Sequence, residues 1–430
     1  MRRILIGRSI GPDGEFDLHG VLDPAGVCQT LRSNPVNINS GNNLWFQGLV
    51  STLLTPESHV EFLTRDMSVE YINDHFDAVV KPHANVFAPR FVGIMEDHVR
   101  AWKGLKIPMY IVACGAQADS YDRLDELAES IRTPACRFMD SVYATGGEFA
   151  LRGHFTKAFF DRLGYPTAEV TGCPSLYQCG RDLRIQVERV PRAAFRPVVN
   201  GRLDLVEPLL REDGAVPFID QGDFLRLLHD PAFRNEHDLG VRDMVGLLEH
   251  HGAVALRMMR AGRVHHFHAM PEWRNFLMDH RFSFSFGSRM HGNIMAILAG
   301  IPAVICACDA RTRELAEFHG IPLVPKGVYD RDRLYELYAR TDYGAFNRGF
   351  AARYDRYEDF LVRHRLAERI NPTSAFFASE RRRPDAPPVN RAFIGEINDK
   401  LDRLGPLYRA VGWAVGMKRR LGRILRRLRK

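Results

Sequence analysis

The sequence predicts an α/β protein built from two doubly wound, Rossmann-like domains, and three observations predict it. At 430 residues the chain is longer than one hydrophobic core usually supports. Short apolar runs alternate with helical patterns through two separate stretches, the rhythm of βαβ units and mainly parallel sheets. A charged, non-periodic segment that begins at Gly180 (GRDLRIQVERVPRAAFRP) lies between them and reads as a connection. The expected division is therefore 1–180, 181–341, terminal helices at 342–378, and a linker with a basic tail at 379–430. A composition 45% apolar and 26% charged is ordinary for a globular protein.

In the first stretch the rhythm runs strand Ile4 to Gly7, helix Asn43 to Leu54, strand Val60 to Leu63 and helix Val69 to His75. It continues with strand Asp77 to Val80, helix Val92 to Trp102, strand Met109 to Cys114 and helix Arg123 to Ile131. A strand near Val142, a helix Phe149 to Leu163 and a strand Glu169 to Thr171 complete it. Several strand ends carry small or polar residues: Ser9, Gly41 with Asn42 and Asn43, His83 with Asn85, and Gly115 with Gln117. Taken singly these are turn residues chosen for their backbone angles, and together they suggest a binding face. Arg152 falls inside the last predicted helix, where an arginine is usually solvated but could face the crevice. A second alternating region extends from Val198 to Met278.

The most informative stretch follows. Phe282, Phe284 and Phe286 alternate with Ser283 and Ser285 as in a strand, and Gly287-Ser288 break the pattern. Ser288 is a suitable N-cap for a helix carrying Ile294, Ile297 and Leu298 at helical spacing, and Gly300 with Pro302 ends it. Ala303 to Cys308 is a second strand, Asp309 caps a further helix over Thr312 to Phe318, and Ile321 to Val324 is a third strand. Arg289 and His291 thus occupy the first turn of a helix that leaves the carboxyl end of a strand. Backbone N–H groups and a partial positive charge are presented there, so an anion is the expected guest. Arg289 adds a planar fork of donors, and His291 is the side-chain type whose unperturbed titration lies nearest neutral pH. Ser288 and Gly292 flank them, and Arg311 and Arg313 on the next strand-to-helix turn could bring further donors to the same edge.

The run GSRMHGNIMAILAGIPAVI at 287–305, followed by Asp309, Arg313, Glu314 and HGIP at 319–322, resembles the signature of the polysaccharide pyruvyl transferase family. Asn39-Ser40-Gly41-Asn42-Asn43 is similar to that family's early Asn-x-Gly-Asp turn, with Asn where Asp is usual, and Thr171-Gly172-Cys173-Pro174-Ser175 to its GCPS segment. The resemblance implies a GT-B-like arrangement of the two domains across a cleft, with phosphoenolpyruvate as co-substrate and no other cofactor. It implies a sugar diol as acceptor, on a polysaccharide or its lipid-linked precursor, and a pyruvate ketal as product. On that reading His291 and Arg289 are the catalytic candidates, and Ser288, Gly292, Arg311 and Arg313 bind the donor from the 181–341 side. Asn42, Asn43, His83, Gln117 and Arg152 are acceptor-side candidates in 1–180. Two other readings compete: a nucleotide-sugar glycosyltransferase of the same architecture, and a non-catalytic adaptor at a membrane.

Seven cysteines with no Cys-x-x-Cys pair argue against a disulfide or metal framework and fit a reducing cytoplasm. Cys173, before Pro174, reads as a small buried residue. His265, His266 and His268 have no acidic or thiol ligand at a suitable spacing in the sequence nearby, so no metal is expected. The amino-terminal apolar run is too short for a signal peptide and no stretch is long enough to span a bilayer, so a cytoplasmic protein is expected. The last thirteen residues, 418–430, hold eight Lys or Arg and no acid, which leaves the rest of a chain of net charge +7 near neutrality. Trp413, Met417, Leu421, Ile424, Leu425 and Leu428 recur there at helical steps. Such a helix suits an anionic membrane surface, here the inner face of the membrane, better than nucleic acid, for which no motif is present.

Overall fold

The computed structural model describes residues 2–7, 40–370 and 391–403, apart from positions 65, 213, 223, 225, 226, 229–243, 245, 249–251, 268 and 269, and only the backbone of residue 43. The Ser9 turn, His268, the linker around 379–388 and the tail 413–430 lie outside the described residues.

The first sheet is assembled from β1 (Arg2–Ile6), α1 (Ser40–Leu53), β2 (Ser58–Phe62), α2 (Val69–His75), β3 (Ala78–Pro82), α3 (Val92–Ala101) and β4 (Met109–Cys114). It continues with α4 (Leu124–Tyr143), β5 (Glu148–Leu151), α5 (His154–Leu163) and β6 (Glu169–Val170). All its pairings are parallel, in the order β2-β1-β3-β4-β5-β6. A 3-10 turn over Pro174–Cys179 leads out of it.

Two local expectations fail here. Residue 142 lies in α4, which runs through Pro134 to Tyr143, and the predicted helix from Phe149 is instead a strand followed by a turn and α5. β5 is four residues long and Phe149, Ala150 and Leu151 are all buried, so it carries no period-two alternation for the sequence to reveal. The consequence matters: Arg152 stands at the carboxyl end of a strand and not on a solvated helix.

The second sheet comprises β7 (Pro197–Asn200), α6 (Glu207–Glu212), β8 (Phe218–Asp220), α7 (Ala253–Arg260), β9 (Val264–His266) and α8 (Met270–Asp279). Then come β10 (Phe284–Gly287), α9 (Met290–Leu298), β11 (Ala303–Ala307), α10 (Ala310–His319) and β12 (Leu323–Pro325). Its order, β12-β11-β10-β7-β8-β9, is again wholly parallel and reverses between β10 and β7, which is the dinucleotide-fold order with its switch point there. Asp309 caps α10 through Thr312 as its spacing predicts, and Gly320 closes the helix with φ 68°.

α11 (Arg331–Arg340) and α12 (Gly344–Arg363) follow. The second is a clasp. Its buried Phe346, Phe350, Tyr354, Tyr357, Phe360 and Leu361 join one apolar core that also contains Ile4 and Val80 of the first sheet and Ile294 and Ile305 of the second half. Tyr357 Oη lies 2.9 Å from Thr52 Oγ1, and Arg363 makes a two-pronged pair with Glu169. The stretch expected from 379 as linker and tail contains one packed helix, α13 (Arg391–Arg403), whose Phe393, Ile394, Ile397 and Leu401 enter the second sheet's core beside α7.

One close seam is α1 against the turn at Pro174–Cys179: a Cβ at Gly48 would stand 2.5 Å from Ser175 Cα. Gly48→Ala should therefore destabilise the fold by about 1–3 kcal/mol through overpacking, although alanine favours a free helix by roughly 1 kcal/mol. Urea midpoints of the two proteins decide the sign.

Candidate active site

The switch point of the second sheet prepares the site. β10 delivers Ser288 and Arg289 to the start of α9, while β7 ends beside them at Asn200. Asn200 Oδ1 accepts the Arg289 N–H at 3.2 Å, and its Nδ2 donates to Asn293 Oδ1 at 3.2 Å. Asn293 in turn donates to the carbonyls of Gly287 and Arg289. The strand-to-helix turn is thus held from inside by two amides. Gly292 must be glycine there, since a Cβ would stand 2.6 Å from Gln221 Nε2 and 2.8 Å from Asn200 Cγ.

Arg289, not Ser288, is the N-cap; the Ser288 hydroxyl instead accepts the Arg202 N–H at 2.9 Å, from the loop after β7. His291 is 9% exposed in the first turn of α9. Its Nε2 lies 3.7 Å from Cys173 Sγ, on the loop that follows β6 of the other sheet. Burial, and then the positive charges of Arg152 and Arg311, hold His291 well below the ordinary imidazole range, so the ring is neutral in the protein alone.

Arg152 is the most unusual residue in the molecule. It is 2% exposed, its Nε and Nη2 have no hydrogen-bond partner among the described residues, and its guanidinium lies 5.6 Å from the centre of the Trp45 ring on α1. Burial pulls its pKa down, yet an arginine stays charged at neutral pH. Each orphaned buried donor costs about 1–3 kcal/mol, which a merely structural arginine would not be expected to carry.

Its nearest acid is Glu314 of α10, 1% exposed, which reaches across the two halves to accept the Thr156 N–H at 2.8 Å and the Thr156 hydroxyl at 2.7 Å. The carboxylate therefore caps the amino-terminal turn of α5. Burial outweighs those two hydrogen bonds and the fields of Arg152 and Arg311, and raises its pKa to about 7. Arg311, half-buried in the first turn of α10, lies 3.7 Å from Asp309.

The remaining sequence candidates separate. Arg313 is exposed, pairs with Glu317 at 2.7 Å and lies over the Tyr121 ring, so the structure does not bring it to His291. Gln117 is tied to Asn85 and Arg90, each at 2.6 Å. His83 is buried against His98 and Phe138 in a cluster where Lys81 Nζ lies 3.1 Å from His98 Nδ1; burial brings that lysine down to about 7. Asn42 sits half-buried in the first turn of α1, next to Asn43. His266, 46 positions from Asp220 in sequence, lies 3.0 Å from its carboxylate, an acid that local spacing could not reveal; among the described residues no group of three metal-ligating side chains occurs.

Sequence reasoning missed Glu314, Thr156 and the role of Cys173 beside His291, as well as His319, whose Nε2 accepts the Cys173 N–H at 3.0 Å. Glu314 and His319 stand inside the quoted signature but had no partner to give them a role until the two halves were docked.

With this geometry in hand, comparisons with known proteins add three findings. The family model described as polysaccharide pyruvyl transferase matches residues 87–310, more than half of the chain. No curated protein sequence matches. Among solved structures, a UDP-GlcNAc 2-epimerase from Neisseria meningitidis bound to UDP-GlcNAc is similar over 84% of this chain and 100% of its own, at 11% identity and TM-score 0.39. S. aureus MnaA with UDP is similar over 87% and 100%, at 9% identity and TM-score 0.38, and the glycosyltransferase SnogD from Streptomyces nogalater over 88% and 98%, at 14% and 0.31. The fold assignment rests on the two parallel sheets themselves.

The raised pKa of Glu314 has a measurable consequence. The folded value, about 7, lies above the ordinary 4.5, so the native state holds the proton more tightly and stability falls as pH rises through that window. The loss should total on the order of 3 kcal/mol between about pH 4.5 and 7, with no further change above it. Glu314→Gln should remove that slope from urea midpoints measured across the window; a slope that persists would assign it to another group.

Proposed function

Because the chain belongs to the polysaccharide pyruvyl transferase family and is thus a transferase acting on a sugar or polysaccharide acceptor, we propose that its donor is phosphoenolpyruvate and its product a pyruvate ketal. The observation that carries this reading is Arg152: a buried guanidinium with two unpartnered donor nitrogens, close enough to His291 to depress its titration, with Arg311 beside it. Such a place favours a small polyanion strongly over a neutral ligand.

Phosphoenolpyruvate supplies a carboxylate and a phosphate to satisfy these cations. Arg152 and Arg289 clamp the two anionic ends, and the N–H groups at the start of α9 complete the cradle. The charge of the bound anion reverses the local field that keeps His291 neutral, so the imidazole gains a proton as the donor arrives. From there His291 acts as general acid toward the enol methylene carbon. Protonation makes C2 electron-poor, one sugar hydroxyl adds to it, and a second hydroxyl closes the ketal as phosphate leaves. Asn42 and Asn43, in the first turn of α1, are the acceptor-side residues this reading retains. Ser288 and Gly292 shape the turn rather than touch the donor, and Arg313 leaves the donor set.

Thermal unfolding with phosphoenolpyruvate tests the proposal. A ligand at one hundred times its dissociation constant should stabilise the protein by about 2.7 kcal/mol. Arg152→Met should abolish that shift while leaving the protein by itself at least as stable, because an unpaired buried charge has been exchanged for an apolar chain of similar length. Arg289→Lys should lower turnover by roughly ten-fold or more, since lysine keeps the charge and loses the fork, and a charge-assisted hydrogen bond is worth about 1.5–3 kcal/mol. A shift produced by nucleoside diphosphates and not by phosphoenolpyruvate would replace this reading with a nucleotide-sugar transferase.

The basic segment 413–430 is assigned to an anionic lipid surface, which would bring the enzyme to a lipid-linked acceptor at the inner face of the membrane. No helix among the described residues is long and apolar enough to cross a bilayer. A chain ended after Arg403, which keeps the packed α13, should retain turnover on a soluble acceptor and lose sedimentation with anionic vesicles. Equal sedimentation of both chains would remove the tail from this role.

A further inference from the structure

We propose that Cys173 is a positioning residue for His291: its thiol holds the imidazole by Nε2, fixes the ring proton on Nδ1, and so makes Nδ1 the atom that meets a bound donor. The inference rests on the reading of His291 as the group facing that donor, and it names which end of the ring does so.

Three contacts define the arrangement. Cys173 Sγ lies 3.7 Å from His291 Nε2 and 2.9 Å from Ser175 Oγ, and all three side chains are buried. The backbone N–H of Cys173 is held at 3.0 Å by His319 Nε2, so the thiol is anchored from α10 rather than carried on a loose loop. Among the described residues the His291 ring makes no other hydrogen bond, which leaves Nδ1 as the ring nitrogen without a protein partner.

The direction of the hydrogen bonds follows from counting protons. Among the described residues the Ser175 hydroxyl has Cys173 Sγ as its one side-chain partner. Ser175 O–H therefore donates to sulfur and the S–H donates onward to Nε2. The reverse order would leave the serine proton buried without an acceptor and would ask sulfur, a weak acceptor, to take an N–H. Burial raises the Cys173 thiol above its ordinary range, which keeps the S–H proton in place at neutral pH. With Nε2 accepting, the neutral imidazole of the protein alone carries its proton on Nδ1; the proton gained when the donor binds goes to Nε2, and the S–H then turns away so that sulfur accepts from it. Ser175 and Cys173 belong to the first half of the chain and His291 to the second, so the docking of the two halves sets the tautomer.

The test uses the full-length protein labelled with 15N-histidine, with His291→Gln to identify the resonance, and long-range 1H–15N correlation to read which nitrogen bears the proton. The wild type should show Nδ1 protonated and Nε2 bare. Cys173→Ala should populate both tautomers and lower kcat by about ten-fold, equivalent to about 1.4 kcal/mol at the barrier, with KM for phosphoenolpyruvate little changed. Cys173→Ser, which keeps a donor, should hold the Nδ1–H form and restore most of kcat. A proton on Nε2 in the wild type would overturn the proposal even if the alanine variant failed to fold, and so would an unchanged tautomer in Cys173→Ala. The spectroscopic result does not depend on the donor: absence of phosphoenolpyruvate turnover together with the expected tautomer would reject the proposed reaction and keep this arrangement.

Discussion

The charge on Arg152 is the constraint to which the rest of the site answers. A guanidinium almost wholly removed from water, with two nitrogens unpartnered among the described residues, imposes its field on everything around it. It acts with burial to keep His291 neutral, pulls against burial at Cys173, and together with Arg311 lowers a Glu314 that burial would otherwise push further up. Glu314 resolves only part of the imbalance. Both of its oxygens are engaged by Thr156, and its pKa of about 7 makes it a half-strength counter-ion at neutral pH. The net local charge is therefore positive, and the least costly remedy is an anionic ligand.

Topology explains why these groups meet at all. In each sheet the strands run parallel, so every carboxyl end faces the same rim and every following helix presents its amino terminus there. Arg152 leaves β5 of one sheet, His291 leaves β10 of the other, and the loop after β6 inserts Cys173 between them. The rims are held in register by the core shared between α1, the 174–179 turn, α9 and α12. Arg152 and Cys173, 139 and 118 positions before His291 in sequence, can thus act with it in one cluster only because that shared core does not let the halves slide.

What the sequence made legible was whatever depends on local order. The alternation of Phe282, Phe284 and Phe286, the Asp309 cap and the Arg289–His291 helix start are written within a dozen residues of one another and are found as expected. What it concealed depends on burial or on long-range docking. β5 lacks alternation because it is covered throughout, so Arg152 looked like a solvated helix residue. Asp220 and His266, Cys173 and His291, and Thr156 and Glu314 are pairs whose separation in sequence gives no signal to a reader of one chain. Arg313 erred the other way: its place in the motif suggested the crevice, but one turn of helix beyond the cap points it to Glu317 and Tyr121 at the surface.

The same features bear on the conflict between stability and use. Among the described residues, two nitrogens on Arg152 together with Trp45 Nε1, Thr171 Oγ1 and Gln221 Nε2 are buried without a hydrogen-bond partner. At about 1–3 kcal/mol apiece they would exhaust much of an ordinary protein's net stability of about 5–15 kcal/mol. The fold can carry them because its cores are rich in large fully buried side chains, among them Trp45, Trp273, Tyr357 and the Phe87, Phe138, Phe149, Phe159 and Phe160 cluster. A ligand that supplies acceptors to the two Arg152 nitrogens recovers in binding what folding gave up there, and it does so most for a partner with several oxygens closely spaced. That requirement favours a compact anion carrying several closely spaced oxygens over a larger, more diffuse one.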